Sequence, residues 1–129
     1  MDRTPTIKDL LNTYYASFAC KAEWDSVIAE DFIYVGGNMA DRTPVLGKDG
    51  YKTVINRFSR LFSDMRVKTM IVDGDSACVI GNYDLEFPTG LKINADIAEL
   101  WTAKDGKLTS LTIYFDTLTF AQNTPKTAS

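Results

Sequence analysis

From residue 7 the large apolar side chains Ile7, Leu10, Leu11, Tyr14 and Phe18 recur at intervals of three and four, the spacing of one face of an α-helix. Pro5, Thr6 and Asp9 stand just ahead of or inside the first turn, where a capping pattern belongs. A second, shorter helix is expected to carry Trp24, Val27 and Ile28 on one face. It ends before Asp31 and runs into a β-type stretch, Phe32-Ile33-Tyr34-Val35, which Gly36-Gly37 stops. Asn38 to Gly47, with Pro44, reads as a loop. From Asp49 onward Tyr51, Val54, Ile55, Phe58, Leu61, Phe62 and Met65 make a stripe at helical spacing, predicting a third helix, the longest of the three.

After Met65 the period changes to two. Residues 67–72 and 77–87 read as strands joined at Asp73-Gly74-Asp75; Pro88-Thr89-Gly90 turns the chain into residues 91–101, and Lys104-Asp105-Gly106-Lys107 turns it into 108–120. Helices first and a four-stranded meander afterwards argue for an α+β domain, because no helix separates the late strands to make parallel crossovers. One domain is expected over residues 1–121. The polar tail 122–129, containing Pro125, is expected to fray. Both parities of the late strands carry large apolar groups. A homodimer is therefore expected, through an outer sheet face of Tyr83, Leu85, Phe87, Ile97, Trp101 and Tyr114.

Composition narrows the chemistry. The 129 residues suit one core; 45% are hydrophobic and the formal net charge is −3, with Lys and Arg scattered, so nucleic acid is not an expected partner. No apolar run approaches the roughly 20 residues that span a bilayer, and no apolar stretch resembling a secretory signal follows Met1; no membrane partner and a cytoplasmic location are the expectation. Cys20 and Cys78 lack metal-type spacing and are expected as small core hydrophobes. The sequence contains no histidine, which removes the commonest general base and the usual catalytic zinc ligand. Acid-base work is left to Asp, Glu, Tyr or Lys. Without ligand clusters or a glycine-rich phosphate loop, neither metal nor cofactor is expected.

Four local patterns point to a family: Trp24-Asp25 leading into Asp31-Phe32-Ile33-Tyr34, then Gly47-Lys48-Asp49-Gly50-Tyr51, then Ala98-Glu99-Leu100-Trp101 before Lys104-Asp105-Gly106-Lys107, and Tyr114-Phe115-Asp116-Thr117. With the order of elements they resemble the SnoaL-like branch of the nuclear-transport-factor-2-like, cystatin-like superfamily, over Ile7 to Ala121. The resemblance implies three N-terminal helices on a curved, mostly antiparallel sheet, forming a cone with an internal apolar cavity. It implies several possible activities: relatives are polyketide cyclases, ketosteroid isomerases, epoxide hydrolases or binding modules, and a fold alone does not choose among them. The acids of the ketosteroid isomerases align with Gly36 and Ala98, and the Asp-Arg-Asp relay of limonene-epoxide hydrolases with Ile80, Asn82 and Ile113. Asp116 matches the last-strand acid of the cyclases. Tyr14 and Tyr15 fall where related isomerases hold an oxyanion-stabilising phenol.

If Ile80, Ala98, Ile113 and Phe115 line the cavity, period two puts Asn82 and Asp84 on the same face as Asp96 of the next strand. A carboxylate there loses hydration and its pKa rises toward neutrality, which makes Asp96 the leading acid-base candidate, followed by Asp116. The alternative is that Asp84 and Asp96 are solvated and paired with Lys68, Lys92 or Arg66. Asp116 has an alternative as well, accepting backbone amides where the strand turns. Tyr14, Tyr15, Trp24, Tyr34, Asn82, Asp84, Ile113 and Phe115 are the expected ligand-binding set, with core packing as the alternative for the aromatics. Two functions fit: a cofactor-free enzyme performing isomerisation, cyclisation or hydration of an apolar carbonyl compound, or a non-catalytic module that binds an apolar ligand or a protein partner.

Overall fold

The computed structural model describes residues 5–36 and 43–123. Asp41-Arg42, Met39 and the tail from residue 124 lie outside the described residues.

Helix α1 spans Ile7–Ala19 and begins with a reciprocal cap. The Asp9 amide donates to Thr6 Oγ1 and the Thr6 amide donates to Asp9 Oδ2, each at 3.2 Å. Ile7, Leu10, Leu11, Tyr14, Tyr15 and Phe18 are buried along it. The short helix expected around Trp24 is a single 3-10 turn, Asp25–Val27, and Ile28 already opens strand β1, Ile28–Val35. A two-residue strand β2, Val45–Leu46, interrupts the expected loop and pairs with Ile33 and Tyr34.

Helix α2, Lys48–Ser59, stops six residues before Met65, where the stripe ends; Phe62 and Met65 belong to strand β3, Phe62–Asp73. Their three-residue spacing mimics a helix because the β3 register shifts between Phe62 and Asp64, so that both side chains turn inward. The three N-terminal helices expected are thus two, and α2, with 12 residues, is shorter than α1, with 13.

Strands β4 (Ser76–Glu86), β5 (Lys92–Lys104) and β6 (Lys107–Tyr114) complete the meander, and a helix α3, Thr117–Asn123, follows. Asp105 and Gly106 both take positive φ, the two-residue turn that suits the twist of a hairpin. Gln122 and Asn123, expected in the tail, belong to α3; Thr89 Oγ1 donates to Asn123 Oδ1 at 2.7 Å. The sheet order is β2-β1-β6-β5-β4-β3, antiparallel throughout except for the parallel pair β1–β6. It is a curved six-stranded α+β sheet, with α1 packed on β3, β4 and β6 and α2 on β1. No helix among the described residues is long and apolar enough to cross a membrane.

The facing of β4 and β5 reverses the expectation. The register pairs Ala77 with Trp101, Val79 with Glu99 and Gly81 with Ile97, and this frame points under the helices. Tyr83, Leu85, Phe87, Ile97 and Trp101, expected on an outer dimer face, are at most 5% exposed and form the core; Tyr114, of the same set, is outside at 47%. The aromatic parity is buried because it is the one that α1 and α2 cover, and the parity with Asn82, Asp84 and Asp96 is left to water. Cys20, expected in the core, is exposed, and Cys78 is half-buried.

Candidate functional site

A cavity of about 910 Å³ opens between the inner sheet face and α2, within the range of small-molecule sites, about 300–1,000 Å³. Apolar groups make most of its wall: Val54, Ile55 and Phe58 from α2, Ile97 and Trp101 from β5, Leu111 and Ile113 from β6, and Phe115 just beyond. Tyr14, Tyr34, Tyr51, Tyr83 and Glu99 supply the polar atoms of the interior, and Arg57, Arg60 and Glu86 stand at exposed positions of the rim.

Glu99 is the one buried charged side chain among the described residues, 6% exposed and opposite Ile113 in the β5–β6 register. Tyr83 Oη donates to Glu99 Oε2 at 2.5 Å, and Tyr15 Oη donates to Oε1. Trp101 Nε1–H in turn donates to Tyr15 Oη at 2.9 Å, holding that phenol from behind. Burial disfavours the charged carboxylate and pushes its pKa up to about 7, while the two tyrosine hydroxyls pull in the opposite direction. Space for the group comes from Gly81. A Cβ there would lie 2.8 Å from Tyr83 Cε1 and 3.2 Å from Glu99 Oε1.

The other phenols are raised above their ordinary pKa, Tyr14, Tyr51 and Tyr34 chiefly by burial, so they stay protonated donors. Tyr14 and Tyr51 satisfy each other at 2.7 Å. Tyr34 lines the cavity with no hydrogen bond from its hydroxyl to any other described residue, and the charge on Glu99 is near enough to add to its shift.

The expected site residues divide. Tyr14, Tyr34, Ile113 and Phe115 do line the cavity; Tyr15 lies behind Glu99, and Trp24 packs against Tyr14 and Tyr51 within the aromatic wall. Asn82, Asp84 and Asp96 do not. They sit on the outer face in a ladder where Lys68 Nζ donates to Asp96 at 2.8 Å, Arg66 donates to Asp84 at 2.7 Å, and Asn82 bridges to Asp96 and Asn94. Lys68 and Asn82 hold the Asp96 carboxyl below its usual range, and Asn94 and Arg66 do the same for Asp84, the reverse of the upward shift expected in a cavity. Asp116 caps α3: it accepts the Thr119 amide at 3.1 Å and the Thr119 hydroxyl at 2.7 Å, which lowers its pKa. For Asn82, Asp84 and Asp96 the reason is parity, since they alternate with the inward frame of β4 and β5, whereas Asp116 lies beyond β6 at the start of α3. Glu99 is the residue the sequence reasoning missed. Its signal was a lone acid between Ile97 and Trp101 in the more aromatic of the two parities. Among the described residues no group of three or more Cys, Asp or Glu is arranged to hold a metal ion.

Solved structures similar to this chain share its fold. TerC, co-crystallized with polyporic acid, aligns with a TM-score of 0.75 at 24% identity, covering 90% of this chain and 95% of its own. A protein from Kribbella flavida gives 0.75 at 22%, covering 94% of both chains. A putative SnoaL-like polyketide cyclase from Jannaschia sp. gives 0.75 at 16%, covering 95% of this chain and 96% of its own. No curated protein matches the chain significantly. The SnoaL-like domain model matches residues 13–111, most of the chain, and this protein therefore belongs to the SnoaL-like family.

Proposed function

We propose that this SnoaL-like protein takes an apolar carbonyl compound into its cavity and moves a proton on it without a cofactor, Glu99 serving as the acid-base group. The observation that carries the reading is a buried carboxyl in the wall of a largely apolar cavity, held by Tyr15 and Tyr83 and raised to about 7. A group with that pKa is populated in both protonation states near neutrality, the condition under which general acid-base catalysis is most effective. Deprotonated Glu99 removes a proton beside the carbonyl, and the Tyr34 hydroxyl donates to the oxygen as it becomes an enolate. Returning the proton elsewhere isomerises the substrate; attack of the enolate on a second carbonyl cyclises it.

The test is deuterium incorporation from D2O into a panel of enolisable aromatic ketones, followed by mass spectrometry. TerC's co-crystallization with polyporic acid suggests oxygenated aromatics as the first compounds to try. The wild type is expected to exchange faster than buffer and Glu99→Gln to lose about a hundredfold or more of that rate. Equal exchange by the two proteins contradicts the reading. A specific observation favours a second one, a non-catalytic binding module: both oxygens of Glu99 are already engaged by tyrosine hydroxyls. On that reading Glu99→Gln binds the same ketones and neither protein exchanges them.

A homodimer and a cytoplasmic location remain part of the proposal. The dimer now rests on the outer-face residues Ile71, Leu100 and Tyr114, exposed by 63%, 43% and 47%. Light scattering on the wild type is expected to give twice the chain mass, and on Leu100→Glu a monomer; a monomeric wild type overturns it.

A further inference from the structure

Two cations at the cavity mouth have no assigned task. Arg57, on the last turn of α2, and Arg60, the residue that caps it in helical conformation, lie three apart, so their side chains share a face, and both border the cavity while remaining exposed. The ion pairs among the described residues join other groups, and no described carboxylate pairs with either guanidinium. The carbonyls at the end of α2 have other donors: Lys21 Nζ donates to Ser59 O at 2.6 Å, and also to Phe62 O of β3 at 2.7 Å, while the Arg60 and Leu61 amides donate to Arg57 O and Phe58 O. Glu86, on β4, borders the same mouth: its amide donates to Leu61 O at 2.7 Å, one residue on from Arg60, and its carboxylate makes no ion pair with either arginine among the described residues.

We propose that the ligand is an apolar acid: its hydrophobic body fills the cavity and its carboxylate sits at the mouth between Arg57 and Arg60. This rests on the cavity being a ligand site, and it specifies the substrate class. The interior wall offers an anion no cation, whereas two guanidinium forks at the rim offer carboxylate-matched donors without taking the charge out of water. A ligand built this way enters body first, leaving its acid group outside the apolar interior and away from Glu99. Glu86 works against the same anion and sets an upper limit on its charge.

The experiment compares biphenyl-4-carboxylate with its methyl ester, using quenching of tryptophan fluorescence at about pH 6, where the probe is ionised. The wild type is expected to bind the acid about fivefold tighter than the ester, a preference that weakens with added salt. Arg57→Gln and Arg60→Gln each reduce that preference, and the double variant abolishes it while its ester affinity stays at the wild-type level. Glu86→Gln changes the preference in the other direction, tightening the acid alone. Ester binding with no preference for the acid, or a preference that survives in the double variant, overturns the head-group assignment and leaves the cavity reading standing. If neither probe binds, the cavity reading itself fails and this inference fails with it.

Discussion

Tyr83 Oη donates to Glu99 Oε2 at 2.5 Å across the β4–β5 pair, on the inner face of the sheet. The bond strengthens the charged form of a carboxyl that burial drives toward neutrality, so the two influences set the Glu99 pKa in opposition. Removing the hydroxyl leaves burial less opposed. Tyr83→Phe is expected to raise the Glu99 pKa above its value of about 7 by about one unit, read from the side-chain carboxyl carbon by 13C NMR. An unchanged or lowered pKa contradicts that balance.

Gly81 is predicted to be intolerant of even one methyl group. Its backbone φ is unexceptional; the constraint is the Tyr83 ring, 2.8 Å from where a Cβ would stand, and that ring is itself 1% exposed and packed against Phe18, Phe58 and Phe62. Gly81→Ala is expected to cost about 1–3 kcal/mol in urea denaturation through forced repacking. A stability equal to wild type shows that Tyr83 is free to move.

The sequence made α1 and the late meander legible, because the helical stripe of α1, the capping pair Thr6 and Asp9, and the Gly- and Pro-marked turns are local signals. It did not make the site legible. Tyr83-Leu85-Phe87 and Ile80-Asn82-Asp84 are alternate parities of one strand, and which of them faces α1 is decided by tertiary packing. With the aromatic parity placed on an outer dimer surface, the acid left facing the cavity is Asp96. The inward frame of β5 runs Ile97, Glu99, Trp101, so Glu99 stood one residue from the Ala98 position to which a family acid was aligned. Phe62 and Met65 misled for a related reason, since a register shift in β3 gives a strand the three-residue spacing of a helix.

Glu99 also ties stability to pH. Its folded pKa, about 7, lies above the ordinary 4.5, so the folded protein binds this proton more tightly than the unfolded chain. The associated stability is fully present below about pH 4.5 and is lost as the pH rises through about 7, on the order of 3 kcal/mol in total. Between pH 5 and 8 the wild type is expected to lose stability in denaturant titrations and Glu99→Gln to stay nearly flat. Parallel curves for the two proteins contradict the assignment.

On the outer face the expectation runs the other way. Asp96 is exposed and paired with Lys68, so Asp96→Asn removes a solvated ion pair and touches nothing in the cavity. Its melting temperature and its ketone exchange are expected to match the wild type within error. A large loss of exchange with the fold intact would return Asp96 to candidacy.

The central claim is that Glu99 is a buried carboxyl that titrates near neutrality. It is tested most directly by a pH titration of the protein carrying 13C-labelled glutamate, with Glu99→Gln to assign the resonance. The signal missing from the variant is expected to inflect near pH 7. An inflection between about 4 and 5, in the range of a solvated glutamate, would contradict it.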